Sequence, residues 1–504
     1  MPTATSGSVT TLLPDLDRTG APLAAQIAGF YADAIRDGRL REGTRLPPIR
    51  EIATACRVTR ATVQEAYRRL ADRGLVSGVV GRGTTVLAAN DAVRASDAPV
   101  RRHPWSPCAD AALRRAQEMP GAPPLPPGSE LVANFAELQP DDGRFPVAEL
   151  RRAVDAALQT RGSELLGYGH ASAGLPELRE LLATRTGDAN ASADDILVTA
   201  GAQQALDLAL RTFCVPLDTV VTSAPSYHQM HGLLRAHGLQ AVSVPFGADG
   251  LDLAALRLAL ARGGVRLVYL MPTFHNPTGR TLDLAQRKAL IDVLADTDVP
   301  VVEDEYQFAL RFRGAPLPSL RTLDPRGLTL TVASASKELF PALRIGWVHG
   351  SPELLRPMAA VKRFMDLETS PLLQAALVEF VRAGCLDRYL GELRDELRAR
   401  HGALQAACRR HLPAGCTITD PDGGFVAWLE LPEPGQGDRL AERALERGVR
   451  VLPGRAFDHL GRPSRGVRLS LTRASTAQIA AGVRVLGECA RDLLTTASAQ
   501  RSFL

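Results

Sequence analysis

The chain has 504 residues with 59 basic and 55 acidic side chains, a formal net charge of +4, and 45% hydrophobic residues. That length allows two or three domains and a large core, and the composition excludes a short peptide, a disordered chain and a disulfide-stapled mini-domain. Only three of the basic residues are lysine, Lys288, Lys337 and Lys362, so each raises the question of whether arginine would fail there.

The seven cysteines are dispersed, without a CxxC pair or zinc spacing, which fits a reducing cytosol. The N-terminus lacks the basic-then-apolar pattern of a secretory signal. No apolar run approaches the roughly 18 residues that span a bilayer. A cytoplasmic protein is expected.

Residues 1–87 hold twelve arginines against eight acids and so carry the whole net charge. Within them, residues 21–37 place Leu23, Ile27, Phe30, Tyr31, Ala34 and Ile35 at helical spacing, closed by Gly38. Pro47 and Pro48 open a second short helix, and Cys56-Arg57-Val58 turns into a third that Thr59 caps and Gly74 ends. Leu75-Val76, Val79-Val80 and Thr84–Leu87 flank Gly81-Arg82-Gly83, the pattern of a glycine-tipped hairpin. Helices joined by a tight turn and followed by a basic ribbon predict a winged helix-turn-helix. Thr59, Arg60 and Thr62 at the start of the third helix would enter the major groove, with Arg50 and Arg82 reaching phosphates or base edges. The runs Leu46-Pro47-Pro48-Ile49-Arg50-Glu51-Ile52-Ala53 and Val58-Thr59-Arg60-Ala61-Thr62-Val63, with Gly74-Leu75-Val76 and Gly81-Arg82-Gly83-Thr84, resemble the DNA-binding head of the GntR regulators.

Eight prolines fall within 99–127. Such density predicts an extended linker, taken as 88–130, with no helix or sheet interior.

From 131 to 504, apolar runs alternate with amphipathic stretches: Ile196–Thr199, Thr219–Thr222, Arg266–Met271, Val299–Val302 and Thr329–Ala333. This predicts an α/β domain with a mostly parallel central sheet, whose ligands lie at the carboxyl ends of the strands. Polar groups follow each run. Gly201-Ala202-Gln203 opens a helix and offers backbone N–H groups to an anion. Tyr227 supplies a ring that can stack on a flat cofactor, and Asn276 an amide donor. Asp304 and Tyr306 are two apart and read as sharing a strand face, and Ser334-Ala335-Ser336-Lys337 precedes Arg344.

Lys337 is where arginine cannot serve: an amine that loses its proton can bond an aldehyde, whereas a guanidinium stays charged. The aldehyde most often held this way is pyridoxal 5′-phosphate, an electron sink favoured by a carboxylate at its ring nitrogen. Asp304 is the candidate carboxylate and Tyr306 a partner for the phenolic oxygen. Ser334, Ser336 and Arg344 join the Gly201–Gln203 turn at the phosphate, although Ser336 also admits a purely structural reading. Lys288 and Lys362 sit among helical Arg and Asp residues and read as solvated surface groups. His228 and His275 are read as lining the pocket. The His228/His231 pair lacks a further ligand, so no metal site is expected.

The constellation, with Tyr168-Gly169, Gly174-Leu175-Pro176 and Leu178-Arg179, resembles the fold-type I aminotransferases from about 131 to 490. The resemblance implies a small C-terminal α+β part beside the sheet. It also implies Lys337 as the Schiff-base lysine, Asp304 as the pyridine partner, Tyr227 as the stacking ring and Arg468, in Gly466-Val467-Arg468-Leu469-Ser470, as the anchor for a substrate carboxylate. A GntR-type head, a proline-rich linker and such a body resemble the MocR subfamily. What that implies is a homodimeric regulator, often head-to-tail, that binds operator DNA of repeated half-sites and senses an amine, an amino acid or pyridoxal 5′-phosphate itself. Gln229 stands where some γ-amino-acid sensors of that subfamily carry a second arginine. The second reading is a working aminotransferase that keeps a DNA-binding head, and a third is a body that merely dimerises the heads and holds pyridoxal 5′-phosphate as a structural part, or reports its supply.

Overall fold

The computed structural model describes residues 12–18, 22–40, 43–72, 75–79, 83–86, 106–117, 131–168 and 172–501. The chain divides into two compact units, Met1–Pro107 and Cys108–Leu504.

In the first unit, α1 (Leu23–Arg36), α2 (Ile49–Ala55) and α3 (Arg60–Asp72) precede a hairpin of β1 (Val76–Val79) and β2 (Gly83–Val86). The helical spacing buries Ile27, Tyr31, Ile52, Val63 and Leu70 completely, and non-directional burial of this kind drives the helices together. Thr59 caps α3 through its hydroxyl, which accepts from Thr62 N–H at 3.2 Å. The two tyrosines of the core meet edge-on at 6.0 Å. Their hydroxyls donate to Leu12 O and Pro47 O, so neither phenol is buried unpaired. This is the expected winged helix; Arg82 lies outside the described residues.

The proline-rich stretch differs from expectation, because Ser106–Gln117 forms a helix, α4. Pro107 is its second residue, where a missing N–H breaks no helical bond, and none of the ten residues that follow in α4 is proline.

The second unit is built on an eight-stranded sheet. In chain order the body's strands are β3 (Ala133–Asn134), β4 (Ile196–Thr199), β5 (Thr219–Ala224), β6 (Gln240–Gly247), β7 (Gly250–Leu251), β8 (Val265–Leu270), β9 (Val301–Asp304), β10 (Thr329–Ser334) and β11 (Gly346–His349). The sheet runs β4-β11-β10-β9-β8-β5-β6-β7. Strands β10, β9, β8, β5 and β6 are parallel, whereas β11 is antiparallel to both its neighbours. Every residue of β4, β9 and β11 is buried, so β4 and the Val301-Val302 half of β9 read as apolar runs rather than alternations, while Glu303, Asp304 and His349 are polar residues buried in the sheet.

The remaining strands belong to a C-terminal part: β12 (Thr417–Ile418), β13 (Val426–Glu430), β14 (Val449–Arg450), β15 (Leu452–Pro453) and β16 (Gly466–Ser470). Four of them form the antiparallel sheet β12-β13-β16-β15, packed with the helices Cys385–His411 and Thr476–Arg501. Strand β3 pairs with β14, so the first strand of the body is stitched to its last part.

Two residues sit elsewhere than the sequence implied. Glu303 and Asp304 belong to β9, and Tyr306 lies beyond its end rather than on a shared strand face. Lys362 is fully buried in the helix Pro352–Asp366, while Lys288 is exposed as expected.

Candidate functional site

In the first unit, Arg50, Thr59 and Arg60 are exposed at the starts of α2 and α3, and Thr62 is half-buried, its hydroxyl 2.8 Å from that of Thr59. Further along α3, Arg68 and Arg69 are paired with Glu65 at 2.9 and 2.8 Å. The pairing neutralises the far end of α3. Arg60 stands exposed at the helix N-terminus, where the helix dipole is positive.

In the second unit, the carboxyl ends of β4, β5, β8, β9 and β10 converge on a cavity of about 420 Å³, a size that suits a small cofactor or ligand. Ala202, Gln203, Tyr227, Asn276, Asp304, Tyr306, Ser334, Ser336, Lys337, Arg344 and Arg468 all line it. Gly201 lies just behind Ala202 as the N-cap of the helix Ala202–Phe213, with φ +99°. A side chain there would be strained by that φ and would meet the Arg344 guanidinium at 2.9 Å. Gly346 is equally constrained, since a Cβ would come within 2.7 Å of the Gly201 backbone. The two glycines let β11 press against the turn, so that the first helical N–H groups, which have no helical acceptor, face the cavity beside Arg344.

Lys337 sits in a one-turn helix, Ala335–Glu338, at the end of β10. Burial, aided by the nearby Arg468 charge, lowers its amine to about 8, within reach of the free base at neutral pH. Its Nζ donates to Leu138 O. Arg468, on β16, donates to Ala136 O at 2.6 Å and to Asn276 Oδ1 at 3.3 Å, and its guanidinium lies 5.3 Å from the Phe457 ring centroid. Two cavity-lining basic side chains therefore hold the backbone of one segment, 136–138.

Asp304 is raised to about 6 by burial, against a 2.8 Å hydrogen bond from Tyr269. Its Oδ1 has no partner. Tyr306 OH lies 3.4 Å from Phe274 O and is also joined by Gln307 Nε2. The two phenols facing the cavity, Tyr227 and Tyr306, are pushed up by burial and stay protonated.

The two serines separate clearly. Ser334 caps the Lys337 helix, accepting from Ser336 N–H at 3.1 Å, and it donates to Ile345 O; its hydroxyl is occupied by structure. The buried Ser336 hydroxyl has no partner. His228 lines the cavity and is held neutral by burial, at about 3. His275 does not line it: it bonds Ser223 and Thr278 at 3.0 and 2.9 Å and stacks on Phe246. Its place there follows from the tight turn after β8, which aims Asn276 inward and its neighbour away.

Sequence reasoning missed Tyr269 and the carbonyls of Ala136 and Leu138. Tyr269 could have been noticed as a hydroxyl inside an apolar strand. The carbonyls carry no residue-type signal.

Four buried polar atoms without partners, His228 Nδ1, Asp304 Oδ1, Ser336 Oγ and Arg468 Nε, belong to residues of this one cavity. Leaving such groups unpaired costs roughly 1–3 kcal/mol each, so the residues fit a ligand that offers a ring N–H, a phosphate and a carboxylate. Among the described residues, no group of three or more His, Cys, Asp or Glu side chains is placed to hold a metal ion, and no helix is long and apolar enough to cross a membrane.

Comparison with known proteins agrees with this geometry. Residues 132–486 match the aminotransferase class I and II family, and residues 23–86 match the gntR family of bacterial regulatory proteins. The HTH-type transcriptional regulator YdcR of Escherichia coli is 31% identical over 441 residues, 86% of this chain and 91% of that protein. The probable rhizopine catabolism regulatory protein MocR of Rhizobium meliloti is 28% identical over 88% of this chain and 89% of its own. Among solved structures, the α-aminoadipate aminotransferase LysN of Thermus thermophilus, complexed with N-(5′-phosphopyridoxyl)-L-leucine, superposes with a TM-score of 0.67 at 32% identity, covering 76% of this chain and 95% of that one. The chain therefore belongs to the class I and II aminotransferase family and, with a gntR-family domain ahead of that body, has the MocR-type architecture of a pyridoxal-phosphate-binding, DNA-binding transcriptional regulator.

Proposed function

We propose that the body of this regulator senses a small amino compound, or pyridoxal 5′-phosphate itself, and that the winged helix reads an operator of repeated half-sites through Arg50, Thr59, Arg60, Thr62 and Arg82. One observation carries the reading. Lys337 and Arg468, the groups suited to an aldehyde cofactor and to a ligand carboxylate, hold the carbonyls of Leu138 and Ala136. Those residues lie at the very start of the aminotransferase-family match, which begins at residue 132.

When bound, the cofactor supplies an aldehyde and an electron-withdrawing ring. Lys337 offers the amine for that aldehyde, and Asp304 favours a protonated ring nitrogen. Tyr227 covers the ring, Asn276 and Tyr306 address the phenolic oxygen, and Ser336, Arg344 and the Ala202 and Gln203 N–H groups take the phosphate. Ser334 supports this set by capping the lysine's helix, and Gly201 by shaping the turn. A ligand carboxylate is a stronger partner for Arg468 than the Ala136 carbonyl, because both partners are then charged and a guanidinium grips a carboxylate with two parallel bonds. Ligand binding thus favours an arrangement in which segment 136–138 is released, which is a population shift rather than a push. A homodimer turns that shift into a change in the spacing of two heads, to which paired half-sites are sensitive.

The complete cofactor set also suits a working aminotransferase, and turnover separates the two. With the cofactor-loaded full chain and common amino acids, the expected outcome is a change in the visible spectrum without sustained keto-acid formation. Multiple turnovers would overturn the sensor reading.

A further inference from the structure

Lys362, the third of three lysines, is wholly buried in the helix Pro352–Asp366, and this helix packs on Ala202–Phe213, the helix that begins at the phosphate-facing turn. Burying a cation is costly unless it is paired. Its Nζ donates to Asp366 Oδ1 at 3.0 Å. The other carboxylate oxygen of Asp366 accepts from Gln204 Nε2 at 2.8 Å, and Gln204 Oε1 accepts from the Ala200 backbone N–H at 2.7 Å. On its other side the same residue is held by Arg344, which donates to Ala200 O at 2.5 Å.

The direction of this chain matters. A side-chain amide can face either way unless its neighbours decide. Asp366 can only accept, so it takes the NH₂ end of Gln204 and turns the carbonyl end toward Ala200. Lys362 fixes the carboxylate that makes this choice. A fully buried point charge on a slim stem serves here, whereas the wider, five-donor guanidinium would leave donors unpaired. In a chain that otherwise uses arginine, this gives the buried Lys362 a reason to be lysine.

We propose that Lys362, Asp366 and Gln204 form a positioning relay behind the phosphate-binding turn, fixing the Ala200–Gly201 backbone so that the free N–H groups of the following helix point at the cofactor phosphate. None of the three lines the cavity, so they act through the turn and not on the ligand. The inference rests on the proposed phosphate cradle, and its test keeps the two apart.

The test compares dissociation constants of pyridoxal 5′-phosphate and of pyridoxal, which lacks the phosphate, by absorbance titration of the cofactor-free full chain. The wild type should prefer the phosphate ester. In Gln204→Leu and Lys362→Met that preference should fall by about tenfold, the scale of one lost hydrogen bond, while pyridoxal affinity stays within about twofold and Lys288→Met matches the wild type. Gln204 is only half-buried, so Gln204→Leu decides the matter if Lys362→Met fails to fold. Equal loss for both aldehydes, or an unchanged preference, would overturn the relay. A wild type with no preference for the ester would instead overturn the cradle.

Discussion

The residues proposed to read DNA come from one short stretch of the winged helix, with Arg50, Thr59 and Arg60 exposed, whereas those of the cofactor cavity come from the ends of five strands, together with β16, and include the buried Asn276, Asp304, Tyr306 and Arg468. Arg50, Thr59, Arg60 and Thr62 are placed by two helix starts, Ile49 and Arg60, eleven positions apart. Lys337 and Arg468 are 131 residues apart in sequence and meet only because the large sheet and the C-terminal sheet face one cavity. The contrast implies that the head can be altered without loss of its fold, while the body couples fold and function. An exposed arginine contributes contact and little core; a buried one such as Arg468 tunes its neighbours' ionisation as well.

The sharpest way to break that comparison is a reciprocal pair of variants. Lys337→Ala should abolish the visible absorbance of bound cofactor and leave the thermal unfolding of the head unchanged. Arg60→Ala should keep the full cofactor spectrum and weaken retention of specific duplex DNA by roughly 1–3 kcal/mol, the scale of a base-edge contact. Unchanged DNA retention in Arg60→Ala would remove α3 from the recognition surface.

A smaller effect tests the coupling inside the cavity. Lys337 is lowered to about 8, first by burial and second by Arg468. The neutral amine is the reactive form, so the rate of cofactor uptake should fall as pH drops below about 8. Removing the Arg468 charge takes away a contribution that favours the neutral amine, so Arg468→Met should move the midpoint upward. Rates measured from pH 6 to 10 decide this, and a midpoint that stays or falls would contradict the assignment.

Much of this was legible in the sequence, for physical reasons that particular residues illustrate. Lys337 and Asp304 were readable because their chemistry is rare in strand-end contexts, and the head because its motif is contiguous. Lys362 was misread because an i,i+4 Lys–Asp pair looks the same on an exposed face as on a buried one; only the packing against Ala202–Phe213 distinguishes them. The helix Ser106–Gln117 was hidden by the prolines around it, and the distinct duties of Ser334 and Ser336 by their spacing of two. The Ala136 and Leu138 carbonyls were invisible, since backbone acceptors are the same at every residue.

The central claim is that ligand binding in the cavity changes DNA binding. It is tested most directly by the affinity of the cofactor-loaded full chain for a duplex selected from a random pool, measured across a panel of amino compounds. The account expects at least one compound to change that affinity by about fivefold or more, within the usual range of allosteric coupling, in the wild type but not in Lys337→Ala or Arg468→Ala. DNA affinity that stays constant across the panel while keto acid accumulates would contradict it.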